Sequence, residues 1–255
     1  MEALFTGVGV AIVTLFDDHR EVDAAATAGL AEKLVAAGVR AVVIAGTTGE
    51  AAALSGEERA TLIRAVRDRL PAGVPVIAGT GAPTGRQAAA FTSAAVDAGA
   101  DAVLALSPAG VSNPTPYYET VAAAAAGRPV LAYHFPMASA PGIPEALLPD
   151  LPVSGVKDSS GDADRLLGEL TAYQGAVYVG SSALLTMAGS VGATGAILAL
   201  ANAEPEKCAA AFAGDGAAQR ALVDAHRAAA ADFPAGLKRL VADRWGVRSP
   251  SRIGT

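Results

Sequence analysis

The most constraining feature of this 255-residue sequence is a regular alternation of short apolar runs with longer segments that have helical spacing. Each run is rich in Val, Ile, Leu and Ala and is followed by Gly, Ser, Thr or Pro. Most runs are apolar without strict alternation, which is typical of parallel strands covered on both faces. The runs lie near residues 7–16, 41–46, 74–80, 102–108, 129–135, 153–159, 176–182 and 192–200.

The intervening segments carry signals for the beginnings and ends of helices. Ser55 is followed three residues later by Glu58, the pattern of a capping box, and an apolar stripe comes after it. Gly38 stands where a helix that begins near residue 23 would end. Helices are predicted at 23–38, 55–70, 84–98, about 143–150, 162–173 and 233–246.

Eight strand–helix repeats are the number that a closed parallel barrel requires. The sequence therefore predicts an α/β fold, a (β/α)8 TIM barrel with additional C-terminal helices. The catalytic barrel is predicted over residues 1–204 and a helical extension, packed on the same domain, over 205–255. An open doubly wound sheet is the alternative, but no G-x-G-x-x-G motif follows the first run to support it.

Composition excludes several classes of protein. Hydrophobic residues make up 52% of the chain and charged residues 17%, which supplies a sizeable core and argues against disorder. The net charge is −6 and the basic residues are scattered, so nucleic acid and membrane surfaces are poor candidate partners. Cys208 is the only cysteine, and neither a secretory signal nor a membrane-spanning run is evident. A cytoplasmic protein is expected.

Active sites of barrels lie at the C-terminal ends of the strands, and one of the four lysines is predicted to lie there. Lys33, Lys207 and Lys238 fall in helical segments among charged neighbours and are expected on the solvated surface. Lys157 instead ends the sixth apolar run. Its ammonium group must pair with a carboxylate such as that of Asp158, or lose solvation so that its pKa falls and the amine becomes nucleophilic. The residues alone leave both interpretations open.

Other polar residues follow the predicted strands. Tyr133 ends the fifth run, so adjacent strands would bring it toward Lys157, where a phenol could relay protons. The alternative is a rim aromatic with a satisfied hydroxyl. Thr47 and Thr48 follow the second run in a Gly-rich turn, where hydroxyls and backbone N–H groups suit a carboxylate. An ordinary turn is the alternative, and Glu50 at its end is expected to have a structural role.

Neither a metal nor another cofactor is expected. His19, His134 and His226 lie far apart in sequence and share no metal-ligand spacing. On a strand, His134 should point to the face opposite Tyr133. Ser181, Ser182 and the glycines near the last two strands have no basic residue nearby, so close backbone packing is a better explanation for those glycines than phosphate binding.

Taken in order, these motifs resemble the pyruvate-dependent class I aldolases of the dihydrodipicolinate synthase and N-acetylneuraminate lyase superfamily. The resemblance extends from about residue 7 to about residue 248. Several ordered motifs at barrel spacing are a specific signal, whereas any one alone would be weak. The matching segments are Gly46–Glu50, Tyr133–Pro136, Gly155–Asp158, Gly180–Ser181, Gly195–Ile197 and Phe233–Lys238.

The resemblance implies a mechanism and assigns roles to residues. Lys157 would form a Schiff base with the 2-keto acid, Tyr133 would act as the proton shuttle, and Thr48 would be linked to that tyrosine. The protonated imine would then serve as an electron sink when the bond to the aldehyde part breaks. The substrate-binding residues implied in this way are Gly46, Thr47, Thr48 and the backbone at Ile197.

The chain departs from the synthase pattern in ways that bear on its substrate. Dihydrodipicolinate synthases usually carry an Arg at the second place after the strand-five Pro, where it meets a second substrate carboxylate; Ala138 stands there in this chain. Those enzymes carry a Pro-Tyr-Tyr motif after strand four, which supplies a second relay tyrosine. Ser107–Gly110 stands there in this chain, and Tyr117 and Tyr118 come several residues later. Losing a bidentate carboxylate partner is enough to shift substrate choice.

The preferred substrate class is therefore a hydroxylated 2-keto acid, cleaved or formed by way of pyruvate, as in the similar 2-keto-3-deoxygluconate aldolases. The first alternative is 4-hydroxy-tetrahydrodipicolinate synthase activity, condensing pyruvate with aspartate semialdehyde. The second is a barrel that binds keto acids without turnover. The resemblance also implies a homo-oligomer, either a tetramer or a dimer.

Overall fold

The computed structural model describes residues 3–254, and within them eight parallel strands close into a barrel. The strands pair in sequence order, and the last pairs with the first. This confirms the predicted (β/α)8 fold, and each strand falls inside the apolar run that predicted it. The strands are β1 (Gly7–Ala11), β2 (Val42–Ile44), β3 (Val76–Gly79), β4 (Ala102–Leu106), β5 (Val130–His134), β6 (Gly155–Asp158), β7 (Ala176–Val179) and β8 (Gly195–Leu198).

Helices occupy the connections between strands and continue after the last strand. A 3₁₀ helix, Glu145–Asp150, with Pro149 inside it, stands where a short helix was predicted at about 143–150. Other 3₁₀ turns are Ala51–Ala53 and Leu200–Asn202. The α-helices are α1 (Ala24–Ala36), α2 (Gly56–Arg69), α3 (Gly85–Asp97), α4 (Thr115–Ala124), α5 (Ala163–Ala172), α6 (Leu185–Ser190), α7 (Pro205–Phe212), α8 (Gly216–Ala221), α9 (Val223–Ala231) and α10 (Ala235–Trp245).

Local capping explains where the helices begin. The Glu58 N–H donates to Ser55 Oγ at 3.2 Å, and the Ser55 N–H donates to Glu58 Oε2 at 2.8 Å, which confirms the capping box. Asp162 accepts from two backbone N–H groups at the start of α5. Gly38, just after α1, has φ of +98°, a conformation that costs a glycine nothing.

Two apolar layers follow from the alternation of side chains along each strand. One layer fills the barrel interior and includes Ile77, Leu131 and Ile197, and the other joins the strands to the surrounding helices. Phe5 and Tyr178 stack inside the barrel with ring centres 4.6 Å apart. On β5 the alternation sends Tyr133 inward, whereas His134 packs outward and its Nδ1 accepts the Ile143 N–H at 2.9 Å. The predicted opposite orientation of these two residues is therefore confirmed.

Asn202 connects the barrel to the C-terminal helices. Its side chain is fully buried, donates to Ala11 O at 2.7 Å and accepts the Val13 N–H at 3.0 Å. The Trp245 indole N–H donates to Asn202 O at 2.7 Å, which links α10 to the same point. Within residues 3–254, no helix has the length and apolarity needed to cross a membrane.

The expectation that Lys238 is solvated was wrong. Its side chain is 4% exposed, its Nζ lies 2.6 Å from Glu50 Oε1, and it donates to Pro250 O at 2.7 Å. Glu50 Oε2 also accepts the N–H groups of Arg252 and Ile253, at 2.7 and 2.8 Å. The partner of Lys238 lies far away in sequence, so its helical neighbours gave no indication of it. The same contacts support the structural role expected for Glu50.

Candidate active site

A cavity of about 480 Å³ opens at the C-terminal ends of the strands, the end at which barrel active sites lie. It brings together residues that follow five different strands, β2, β5, β6, β7 and β8. Lys157, Tyr133, Thr47 and Thr48, which the sequence singled out, all line it. Further lining residues are Phe135, Met137, Ser159, Ser160, Gly161, Gly180, Ser181, Ser182, Leu198, Ala199, Leu200, His226, Ala229, Ala230 and Phe233.

Strand register places Lys157 beside Tyr133. The two residues are Cα partners in the pairing of β5 with β6, so their side chains emerge on the same face. Lys157 is 5% exposed, and its Nζ lies 4.3 Å from the centre of the Tyr133 ring. A cation at that distance from a ring face is attracted by its electrons. The amine and the phenol ring are therefore neighbours in one cavity.

Asp158 is not the partner of Lys157, although the sequence left that pairing open. Asp158 accepts from the N–H and the hydroxyl of Ser160, at 2.8 and 2.9 Å. Successive strand residues point to opposite faces, so the Asp158 carboxylate lies behind β6 while Lys157 faces the cavity. Within residues 3–254, no carboxylate oxygen comes within ion-pair distance of Lys157 Nζ.

The turn after β2 is shaped by local backbone constraints. Ala45 and Glu50 flank it with φ of +52° and +57°, a left-handed conformation uncommon outside glycine. Gly46 O accepts the N–H groups of Gly49 and Ala51, at 3.0 and 3.2 Å. The N–H groups of Thr47 and Thr48 donate to no atom of residues 3–254. Thr47 and Thr48 therefore line the same cavity as Lys157, and their two N–H groups have no acceptor within residues 3–254.

Neighbouring strands hold this turn in position. Thr14 Oγ1 donates to Gly49 O at 2.7 Å, and Thr14 itself is buried. Gly79 at the end of β3 has no side chain, and a Cβ there would collide with the Ala45 carbonyl. The ion pair between Glu50 and Lys238 fixes the far end of the turn. The position of Thr47 and Thr48 therefore depends on the segment after β1, on β3 and on α10 together.

Not every predicted site residue reaches the cavity. Ile197 is fully buried among the interior side chains of the barrel, and the cavity wall at β8 begins one residue later at Leu198. Gly46 shapes the turn through its carbonyl but does not line the cavity. Thr48 and Tyr133 share the lining, but within residues 3–254 their side chains form no hydrogen bond with each other.

Sequence reasoning did not assign a site role to Ser159, Ser160 or His226. Both serines directly follow β6, so the rule that polar residues at strand ends form the site would have found them. Ser181 and Ser182 follow β7 in the same way and line the same wall. His226 lies on α9, and no pattern in the sequence indicates that this helix reaches the cavity.

A buried ionisable cluster lies behind β6. Arg165 Nε lies 2.8 Å from Glu169 Oε1 and 4.0 Å from Asp158 Oδ1. Burial, reinforced by the Asp158 charge, raises the pKa of Glu169 from 4.5 to about 8. Burial also raises the pKa of Asp158, and burial together with Arg165 lowers that of His134 from 6.5 to about 4. His134 is therefore neutral at physiological pH and can accept the Ile143 N–H.

Similarity to known proteins agrees with this geometry. A family model for the dihydrodipicolinate synthetase family matches residues 4–239. The 4-hydroxy-tetrahydrodipicolinate synthase of Pseudomonas aeruginosa is 36% identical over 236 residues, which are 87% of this chain and 80% of that protein. Among solved structures, a dihydrodipicolinate synthase of Bacillus anthracis superposes with a TM-score of 0.92 at 27% identity, covering 100% of this chain and 93% of that one.

A second solved structure, the dihydrodipicolinate synthase of Acinetobacter baumannii complexed with pyruvate, has a TM-score of 0.87 at 27% identity and covers 97% of this chain and 90% of that one. The barrel and these similarities define a carbon–carbon lyase of the class I aldolase type, which acts on pyruvate through a Schiff base. The chain belongs to the dihydrodipicolinate synthetase family. The resemblance found in the sequence is confirmed.

Proposed function

We propose that this enzyme cleaves or forms a hydroxylated 2-keto acid, with Lys157 as the Schiff-base lysine and Tyr133 as the proton relay. The observation that carries the proposal is the position of the Lys157 amine. It lines a cavity at the catalytic end of the barrel, next to a phenol, and has no carboxylate partner within residues 3–254. An amine that is not held in an ion pair is available to attack a carbonyl carbon.

The turn after β2 suits the carboxylate that every 2-keto acid carries beside its ketone. Thr47 and Thr48 offer two hydroxyls and two N–H groups that have no acceptor within residues 3–254. Several short donors converging from one side match the lone pairs of a carboxylate. With the carboxylate held there, the adjacent ketone carbon would face the Lys157 amine.

The remainder of the cavity suits hydroxyls rather than a second carboxylate. Lys157 is its only charged lining residue among residues 3–254, and Met137 and Ala138 occupy the segment where the synthases usually carry an arginine. Ser159, Ser160, Ser181 and Ser182 instead form a hydroxyl-bearing wall. A second buried carboxylate without a cationic partner would be strongly disfavoured. Serine hydroxyls can donate to and accept from substrate hydroxyls.

The reaction proposed at this site proceeds in three stages: imine formation, cleavage of the carbon–carbon bond and release of pyruvate. The Lys157 amine adds to the C2 ketone, and loss of water leaves a protonated imine. A proton then leaves the C4 hydroxyl by way of Tyr133, the C3–C4 bond breaks, and its electron pair moves toward the imine to give an enamine and a free aldehyde. Protonation at C3 and addition of water release pyruvate and the lysine. Aldol addition is the same sequence reversed.

A second candidate is 4-hydroxy-tetrahydrodipicolinate synthase activity, because the Pseudomonas aeruginosa relative carries that name. It would use the same lysine and pyruvate but would take aspartate semialdehyde as the aldehyde. Among residues 3–254 no arginine lines the cavity, and the missing guanidinium group argues against this activity. A coupled assay that compares aspartate semialdehyde with hydroxylated aldehydes distinguishes the two candidates.

Borohydride trapping tests the proposal directly. Incubation with pyruvate and borohydride should add irreversible mass to the peptide that contains Lys157, and a screen of 2-keto-3-deoxy sugar acids should find turnover. Lys157→Ala should abolish both signals, because no other amine of residues 3–254 lines the cavity. Lys33→Ala, which changes an exposed lysine, is the matched control and should retain both. Trapping on a different lysine, or trapping with no turnover of any hydroxylated keto acid, would contradict the proposal.

A further inference from the structure

A serine–histidine pair lines the same cavity as Lys157 and Tyr133. Ser182 Oγ and His226 Nδ1 lie 2.8 Å apart, and both residues line the cavity that holds Lys157. They come from different elements, since Ser182 follows β7 and His226 lies on α9. The remaining ring nitrogen of His226, Nε2, has no hydrogen-bond partner within residues 3–254.

The pair is fixed in place from several directions. Ser182 is 7% exposed, and its carbonyl accepts from Gln219 Nε2 at 2.9 Å. Gln219 Oε1 in turn accepts the Thr186 N–H at 3.0 Å, which ties α8 to α6. These contacts hold the loop after β7 against α8 and α6, and the Ser182–His226 contact connects that loop to α9. A polar group held in this way is preorganised to receive a ligand.

The chemistry of the pair favours a hydroxyl as its ligand. Ser182 occupies Nδ1, so Nε2 is a donor in one neutral tautomer of His226 and an acceptor in the other. A substrate hydroxyl can donate or accept and therefore satisfies either tautomer, whereas a carboxylate satisfies only the donor. The serine hydroxyls after β6 and β7 extend the same polar wall. We infer that His226, positioned by Ser182, recognises a hydroxyl on the aldehyde part of the substrate and thereby sets substrate choice.

This inference rests on the proposed function, and it makes a selective prediction. Aldol addition of pyruvate to glyceraldehyde and to propanal compares two three-carbon aldehydes that differ only in hydroxyl groups. His226→Asn keeps an amide near Nδ1 but removes the group at Nε2. It should lower kcat/KM for glyceraldehyde about 10-fold or more, as expected for a lost hydrogen bond to a bound polar group, with little change for propanal.

Two further variants separate recognition from general damage to the fold. His226→Gln returns an amide to the Nε2 position and should restore part of the preference for glyceraldehyde. Ser182→Ala should weaken the preference because it leaves the ring without its positioning partner. His19→Asn, at an exposed histidine, is the matched control and should behave as the unsubstituted enzyme. Borohydride trapping of pyruvate on Lys157 should be equal in all four variants.

The outcomes distinguish the inference from the function on which it rests. Loss of pyruvate trapping in the unsubstituted enzyme would overturn the proposed function and this inference with it. Normal trapping together with an unchanged glyceraldehyde-to-propanal ratio in His226→Asn and Ser182→Ala would overturn the inference alone. So would an equal loss with both aldehydes, or an unsubstituted enzyme that traps pyruvate but does not use glyceraldehyde.

Discussion

The Lys157 amine lies 4.3 Å from the centre of the Tyr133 ring, and the two residues are Cα partners in adjacent strands. Strand pairing rather than a flexible loop therefore sets the distance between the proposed nucleophile and the proposed proton relay. Hydrogen-bonded strands in a closed barrel cannot slide past each other without breaking the whole ring of pairs. This rigidity is what a site that must hold an amine and an acid–base group together requires.

Removing the Tyr133 hydroxyl should slow the reaction more than it weakens binding. Tyr133→Phe keeps the ring beside Lys157 but removes the group proposed to carry protons. General acid–base catalysis typically contributes about 10²–10⁴-fold, so kcat should fall by that order while KM changes little. Steady-state kinetics with a 2-keto-3-deoxy sugar acid measure both constants.

Tyr173→Phe is the control for this experiment. The Tyr173 hydroxyl donates to Val153 O at 3.1 Å and lies outside the cavity, so this variant should retain kcat. A Tyr133→Phe enzyme that keeps full kcat would show that another group or water transfers the protons. A rise in KM with unchanged kcat would instead assign Tyr133 to substrate binding.

Breaking the ion pair between Glu50 and Lys238 should lower the free energy of unfolding substantially. Both side chains are buried, at 0% and 4% exposure, with 2.6 Å between the charged atoms. Lys238→Met would leave the Glu50 carboxylate buried without its cation, and removing one partner of such a pair typically costs about 3–5 kcal/mol. Urea unfolding measures the loss.

An exposed ion pair provides the comparison for that variant. Arg69 and Glu32 lie 2.7 Å apart, but both are more than half exposed. Glu32→Gln should therefore leave the free energy of unfolding almost unchanged, because water and salt screen an exposed ion pair. Equal losses in Lys238→Met and Glu32→Gln would mean that burial of the Glu50 pair adds nothing to the stability of the turn after β2.

A methyl group at Gly79 should disturb the turn that carries Thr47 and Thr48. The new Cβ would collide with the backbone of Ala45, which cannot move aside as a flexible side chain would. Gly79→Ala should therefore destabilise the protein by about 1–3 kcal/mol, the usual cost of overpacking, and should raise KM for the keto acid. Gly73→Ala is the matched control, because no atom lies within 4 Å of the Cβ added there. Equal stability and KM in both variants would contradict this account.

Glu169 should make the protein less stable as pH rises. Burial raises its pKa in the folded state from 4.5 to about 8, so the native state holds this proton more tightly than the unfolded chain. Between those values unfolding releases a proton, and the free energy of unfolding falls as pH increases. Urea titrations at intervals from about pH 4.5 to 8 should therefore give a shallower fall for Glu169→Gln than for the unsubstituted enzyme. Parallel curves would show that Glu169 is ionised in the native state at neutral pH.

The amino-acid sequence was enough to predict the architecture and most of the proposed catalytic residues. The number of apolar runs predicts the closed barrel because each run must be covered on both faces, and the position of a residue at a strand end predicts which side chains meet. Lys157, Tyr133, Thr47 and Thr48 were found in this way. Local signals such as the capping box of α2 also predicted where a helix begins. The two residues of a capping box lie within one helical turn of each other, so the sequence shows both.

The contacts between residues far apart in sequence could not be predicted, because they depend on how the folded chain packs. Lys238 is buried because Glu50 reaches it from the other end of the chain, and His226 joins the cavity because α9 brings it to Ser182. Ile197 stays inside the barrel one residue before the cavity wall begins, a depth that strand periodicity alone does not give. The physical reason is common to these cases. Periodicity and capping act over a few residues, whereas burial and pairing depend on which distant elements pack together.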